Sequence, residues 1–406
     1  MTVYSKMKNI LLISSLYPAD DIKLLNNTAV CHYFAKEWIQ MGYHVRVIFL
    51  YHLFPIYYYP ILKLFRRKLA NSSGIAVLDK YLPAEYSYNI DGIDITRIPI
   101  KKSRPGGSFP ESAIHYTATR INEILTEESF EPNIILGHFL HPSINVISYL
   151  KQKYPVITAV SLHGKESIYN QITASLLKNI DYIGYRSLAI GKSFELLYGE
   201  RPHFLCYSGV PQRFIVNRQK KIEQGARNFI FVGSLIKRKY PVVLLPAINN
   251  ALQGEKFTVS YVGEGNEKKA IMNCASSLGI TNNVRLCGRL SRENVVCELD
   301  KADVFIMISK DETFGLVYLE AMARGCIVIA SRDEGMDGII EHGVNGFLCK
   351  AGDTEELTEI IRNIYSMSPQ NLSELSREAL ETARKYTDTK VAKEYISFID
   401  KNTNQR

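Results

Sequence analysis

The chain has 406 residues, of which 46% are apolar and 22% charged. That balance belongs to a globular protein with ample material for two buried cores, and it excludes a disordered, collagenous or small disulfide-stapled chain. The 49 basic and 41 acidic residues leave a net charge of +8, and residues 1–210 hold 22 of the basic and only 16 of the acidic ones. An anionic partner for the first half follows, although the excess is too mild, and not arrayed along a helix face, for nucleic acid.

Taken along the chain, short apolar strands alternate with longer helical segments. Asn9–Ser14 reads as a buried strand; with the polar start before it, the run is too short for the core of a secretory leader. Ala29–Gln40 reads as a helix stopped by Gly42, and His44–Leu50 as the next strand. Ile48–Leu62 is the most membrane-like stretch, but it is 15 residues long and holds Pro55 and Pro60. A spanning helix needs about 20 apolar residues, so no transmembrane segment is expected. Phe49, Tyr51, Phe54, Tyr57, Tyr58, Tyr59 and Phe65 run into Arg66-Arg67-Lys68, with Lys101, Lys102 and Arg104 as possible additions. Aromatics beside a basic cluster suit the headgroup boundary of an anionic membrane; a packed helix with a solvated basic end is the plainer alternative.

Ile134–His138 and Val156–Leu162 are two further strands with a helix between them. This rhythm implies a parallel sheet covered on both faces. The polar segment Asn217–Asn228 interrupts it and reads as an interdomain linker. The rhythm then restarts with strands at Phe229–Val232, Phe257–Val262, Val284–Cys287, Val304–Ile308 and Cys326–Ala330, and helices ending at Leu252 and spanning Glu267–Leu278. Two doubly wound α/β units in one chain place ligands at the carboxyl ends of the strands, in the cleft between them. The seven cysteines are odd in number, widely spaced and without a Cys-x-x-Cys, which suits reduced, buried thiols in a cytoplasmic protein.

The segment richest in chemistry is Ser309–Gly325. A polar turn with one glycine, Gly315, joins a strand to a helical run, Leu316–Ala323. Such a junction presents free backbone N–H groups and the positive end of a helix dipole, which suits a diphosphate. Glu312 lies in the turn and Glu320 about two turns into the helix, so one carboxylate can face a reacting centre while the other accepts from a hydroxyl pair. Taken alone, each is more simply a surface or solvated glutamate.

Together with its neighbours this segment resembles the retaining family 4 glycosyltransferases of the GT-B fold. Glu312 and Glu320 match their Glu-x7-Glu motif. Phe231–Lys239, Tyr261–Asn266, Val284–Arg289, Ala302–Phe305 and Glu341–Phe347 match other family blocks in the family's order. The resemblance implies two Rossmann-like domains facing across a cleft: residues 1–210 binding acceptor, a linker over 211–228, residues 229–385 binding the nucleotide sugar, and residues 386–406 packing back on the first domain. It implies Glu312, His163 and Lys239 as catalytic residues. It implies donor contacts from Gly233, Ser234, Arg238, Gly263, Arg289, Phe314, Gly315, Leu316, Val317 and Glu320, with a side chain at Gly315 occupying ligand space.

Departures from the family pattern are Ser234 in place of an arginine, no glycine pair in Leu16–Val30, and Gly338 in place of a glutamate. Asn26, Asn27 and Thr28 would stand in at the first helix start, and Tyr207–Pro211 would serve as hinge. His138 also ends a strand and ranks below His163. The implied donor is a nucleoside-diphosphate sugar, and the implied acceptor a glycan or lipid-linked sugar. No metal and no resident cofactor are implied, and the expected place is the cytoplasm, peripheral to the inner face of the membrane. A nucleotide-sugar epimerase of the same fold and a non-catalytic sugar-nucleotide binding protein are the alternatives.

Overall fold

The computed structural model describes residues 8–22, 28–73, 78–105, 107–164, 174–222 and 225–403. In the first half, apolar runs form β1 (Asn9–Ser14), β2 (His44–Leu53), β4 (Ile93–Lys101), β5 (Ile134–His138), β6 (Ile157–Leu162), β7 (Tyr182–Tyr185) and β8 (His203–Leu205), with β3 (Tyr86–Ile90) at the edge. Their order is β3-β4-β2-β1-β5-β6-β7-β8. Only β3, joined to β4 by a tight turn at Asp91-Gly92, is antiparallel. Ile10 on β1 aligns with Val45 on β2 and Ile134 on β5. Successive side chains point to opposite faces of the sheet: Leu11 and Ile13 enter one core, Ile10 and Leu12 the other. Each face therefore needs cover, supplied by α1 (Val30–Gln40), α3 (Glu111–Glu127), α4 (Leu140–Lys153), α5 (Ala174–Lys178) and α6 (Leu188–Tyr198), while α2 (Tyr58–Ser73) packs at the end of β2.

The second half repeats the plan. Strands β9 (Asn228–Val232), β10 (Thr258–Val262), β11 (Val284–Gly288), β12 (Val304–Met307), β13 (Ile327–Ser331) and β14 (Phe347–Cys349) form a parallel sheet ordered β11-β10-β9-β12-β13-β14. Helices α7 (Leu244–Leu252), α8 (Lys268–Ser277), α9 (Arg292–Lys301), α10 (Leu316–Ala323), α11 (Thr354–Ser366) and α12 (Pro369–Lys385) cover it. The Ser291 and Ser368 hydroxyls and the Asp353 carboxylate cap the starts of α9, α12 and α11 by accepting backbone N–H bonds. The two doubly wound sheets, each with its own core, are a GT-B architecture.

The chain passes between the domains twice. It leaves the first at Tyr207–Pro211 and returns at Tyr386–Thr387, and the two passages touch: Val210 N–H donates to the Tyr386 carbonyl (2.9 Å) and Asp388 N–H to the Val210 carbonyl (3.1 Å). A Cβ on Gly209 would lie 2.3 Å from Asp388 N, so glycine is needed for the contact. The last helix, α13 (Asp388–Thr403), then lies on the first domain. Val391, Tyr395, Ile396 and Ile399 complete its core, and Trp38 Nε1 donates to the Ala392 carbonyl (3.0 Å).

Two expectations change. The segment read as a sparse linker is packed: Phe214, Ile222 and Ala226 are buried in the second core, and Lys220 Nζ donates to the Leu299 and Asp300 carbonyls. The aromatic run is divided. Phe49 and Tyr51 are core residues of β2, buried because that strand is covered on both faces, and Phe54 and Tyr59 form a small satellite core. Ile56, Tyr57, Ile61, Leu64, Phe65 and Leu69 are exposed. Within α2, Ile61, Leu64, Phe65 and Leu69 recur at helical spacing, so an apolar stripe with Lys63 and Lys68 beside it faces outward. No helix among the described residues is long and apolar enough to cross a membrane.

Candidate active site

The site grows from strand ends. His163 follows β6, Gly233 follows β9, and the turn with Glu312 follows β12, and these ends meet around an interdomain cavity of ≈ 550 Å³. Of the residues singled out from sequence, His163, Gly233, Lys239, Glu312, Phe314, Gly315, Leu316, Val317 and Glu320 line it. Thr28 also lines it, while Asn26 and Asn27 lie outside the described residues.

Lys239 Nζ lies 3.1 Å from the Glu312 carboxylate, both largely buried, and the Ser309 hydroxyl donates to the same carboxylate at 3.2 Å. Burial opposes ionisation of Glu312. The Lys239 and Arg238 charges and these hydrogen bonds outweigh it and hold the carboxyl below its ordinary value. The turn itself is clamped from behind by Glu334, whose carboxylate accepts from Asp311 N–H (3.0 Å) and Glu312 N–H (2.9 Å). Asp311 has φ +56°, a left-handed conformation this clamp helps to hold. Glu334 sits in a turn after β13; an acidic residue at a strand end is the signal that could have singled it out.

Gly315 is required for a reason beyond the expected one. Its φ is +76°, and a Cβ would lie 2.3 Å from the Tyr318 ring, so the helix start and its own tyrosine demand glycine whatever the cavity holds. Tyr318 in turn donates to the Met307 carbonyl (2.6 Å), tying α10 to β12.

Glu320 reaches the cavity already paired. Arg292 Nε donates to it at 2.5 Å, Nη1 donates to the Tyr33 hydroxyl of α1 at 3.1 Å, and the guanidinium lies over the Tyr33 and Phe214 rings. Arg292 therefore bridges the domains and competes for the carboxylate expected to hold ribose hydroxyls. Asp388 lies in the same wall, its carboxyl pushed up to about 6 by burial, against the pull of Arg292 and with Glu37 and Glu320 adding to the rise.

Four expected donor contacts do not line the cavity. Gly263 is a packing glycine: a Cβ there would lie 1.9 Å from the Gly233 carbonyl oxygen. Arg238 is turned along the Glu312 turn, where Nη1 donates to the Lys310 and Asp311 carbonyls (3.3 and 3.2 Å). Ser234 and the exposed Arg289 stand outside the lining.

On the facing wall, His163 stacks on Phe139 with ring centres 3.9 Å apart, and its Nε2 lies 2.8 Å from His138 Nδ1. Its backbone carbonyl accepts from the Thr313 hydroxyl (3.0 Å), a direct interdomain bond. Burial, the Arg186 charge and His138 hold His163 well below the ordinary imidazole range; burial and Arg186 bring His138 to about 3. Both rings are neutral at pH 7. Cys31, His138 and His163 place ligand-type atoms within 4.8 Å of one another. The two rings already satisfy each other and Arg186 adds positive charge, so the cluster is a hydrogen-bonded support for His163.

Residues 213–386 match the family described as glycosyl transferases group 1. The chain is 25% identical over 332 residues to an uncharacterized glycosyltransferase of Methanocaldococcus jannaschii, covering 77% of this chain and 88% of that one. It is 32% identical over 285 residues to the N-acetyl-alpha-D-glucosaminyl L-malate synthase of Bacillus anthracis, covering 65% and 73%. The Anabaena protein HepE, solved in complex with UDP, superimposes with a TM-score of 0.67 at 15% identity, over 97% of this chain and 100% of that one. The chain belongs to the glycosyl transferases group 1 family and has the GT-B fold.

Proposed function

We propose that this glycosyltransferase moves a hexosyl group, with retention of anomeric configuration, from a nucleoside-diphosphate sugar to a glycan or lipid-linked acceptor. The observation that carries the reading is the buried Lys239–Glu312 pair at the strand ends, facing neutral His163 across the cleft. Lys239 answers the charge that grows on the leaving diphosphate as the bond from sugar C1 to phosphate oxygen breaks. The backbone N–H groups at the start of α10 face the same cavity and add to it. Glu312, held ionised by Lys239, orients both the lysine and the sugar near C1. Glu320 takes the ribose hydroxyls after Arg292 yields.

The acceptor hydroxyl attacks C1 from the face the diphosphate leaves, and its proton passes to the departing phosphate oxygen. In this scheme no side-chain carboxylate forms a bond to the sugar, and the chemistry needs neither a metal nor a resident cofactor. HepE, which binds UDP, supports a nucleoside diphosphate as the leaving group. The outward apolar stripe of α2 with Lys63 and Lys68 supports a working place on an anionic cytoplasmic membrane surface, in synthesis of a bacterial surface polysaccharide. Contact through α2 would bring a lipid-linked acceptor to the first domain.

The test is transfer by wild-type and Glu312→Gln chains across a panel of nucleotide sugars with lipid-linked acceptors, read by mass spectrometry and by release of nucleoside diphosphate. Wild type is expected to release diphosphate only with acceptor present, and Glu312→Gln to lose about 10²-fold or more in kcat. Unchanged transfer by Glu312→Gln overturns the assignment of roles. Conversion of the sugar without release of the nucleotide overturns the reaction class.

A further inference from the structure

Arg186 follows β7 and lines the cavity, yet only 5% of its surface is exposed. Its Nη1 donates to the Cys206 carbonyl at 2.8 Å and its Nη2 to the Ser208 hydroxyl, and its guanidinium lies 5.4 Å from the Phe314 ring centre. All of these partners are neutral, and Nε is buried without a partner. The two other buried arginines differ: Arg46 pairs with Glu128 and Arg97 with Asp21. The other cations of the cavity are also matched, Lys239 by Glu312 and Arg292 by Glu320. Among the described residues no carboxylate pairs with Arg186.

A guanidinium cannot lose its proton at any ordinary pH. A buried ion without a counter-charge is strongly unfavourable, and removal to water or a partner of opposite sign is the usual remedy. Among the described residues nothing nearby supplies that partner. The Cys31 thiol is pushed up to about 12, chiefly by burial, and the two histidines are neutral. Arg186 thus gives the stretch of cavity wall it shares with Ser208 and Phe139 an unmatched positive charge.

We propose that Arg186 binds an oxyanion of the substrate, a phosphate or carboxylate group that enters the cleft beside Phe314. This rests on the glycosyltransferase reading and adds a charge requirement to it. The anion can belong to the donor's diphosphate or to an acid group on the acceptor. A bound anion supplies the missing counter-charge.

The experiment is calorimetric titration of the full chain, comparing wild type with Arg186→Gln and Arg186→Lys. UDP, GDP and ADP are titrated first, and then inorganic phosphate into the chain saturated with the diphosphate that binds. A fall of tenfold or more in diphosphate affinity for Arg186→Gln, partly restored in Arg186→Lys, assigns the anion to the donor. Unchanged diphosphate affinity, with phosphate binding to the loaded wild type lost in Arg186→Gln, assigns it to the acceptor. If neither binding changes, the proposal is overturned. Without ligand, Arg186→Gln is expected to melt no lower than wild type; a fall in melting temperature with unchanged anion binding marks a purely structural arginine and also overturns it. If wild type binds none of the three diphosphates, the donor reading fails, and phosphate titrated into the free chain then tests Arg186 by itself.

Discussion

Asp388 opens α13 where the chain returns to the first domain, and its carboxyl is raised from 3.8 to about 6. Burial is the main cause; Glu37 and Glu320 add to it, while Arg292 and Arg213 oppose it. A folded-state value above the unfolded one means that the folded chain binds the proton more tightly. The contribution of this group to stability is then greatest below pH 3.8 and falls as pH rises towards 6. Above pH 6 the full cost of ionising the group in place is about 3 kcal/mol. Asp388→Asn keeps the shape and removes the ionisation. At pH 8 the variant is expected to be more stable by up to about 3 kcal/mol, or about 3–4 °C in Tm for cooperative melting of a chain this long. At pH 5 the gap should shrink to about half, because wild type there carries the proton in most folded molecules. Scanning calorimetry of both chains at pH 5, 6.5 and 8 measures this. A gap that does not vary with pH, or a wild type more stable at pH 8, refutes the reasoning.

Other outcomes follow from the same geometry. Gly263→Ala would place a Cβ 1.9 Å from the Gly233 carbonyl oxygen and is expected to lose about 3 kcal/mol or more by urea unfolding, with weakened nucleotide binding. Gly199→Ala, at φ +75° with open space around it, should cost only about 1–2 kcal/mol and serves as its control. Glu334→Gln keeps one acceptor but turns an amide towards the other N–H of the Asp311–Glu312 turn. A loss of about 1–3 kcal/mol in stability and a lower kcat are expected, and full activity would mean that the clamp does not position Glu312. Wild type should sediment with vesicles containing phosphatidylglycerol, and Lys63→Glu/Lys68→Glu should stay in solution, since each basic residue near such a surface contributes about 1 kcal/mol. Equal sedimentation of both would remove α2 from the membrane reading.

Much of this architecture is legible in the residues alone, because a buried parallel strand and the helix that covers it carry different periods. Ile134–His138 and Leu316–Ala323 have the bounds read from sequence. Glu312 stands out because a strand–turn–helix junction has one natural ligand class, and Lys239 through the family resemblance of Phe231–Lys239. Phe49 and Tyr51 mislead for the opposite reason: a strand covered on both faces has no polar alternation, so its aromatics look like a surface patch. Arg186, Arg292 and Asp388 are illegible because their meaning depends on neighbours far away in the chain. Arg292 meets Tyr33 across 259 positions, and one sequence holds no trace of that proximity. Gly315 carries a local constraint that the motif match does not show, the tyrosine three residues on, folded back over it.

The paired passages at Val210 and Thr387 set the mechanics of the molecule. A single linker would let the halves swivel about any axis. Two passages joined by backbone hydrogen bonds resist independent swivelling more than one linker does. The same stitching ties the tail to both halves: cutting the chain before α13 would remove the Asp388 half of the pairing and leave Trp38 and Phe34 facing water.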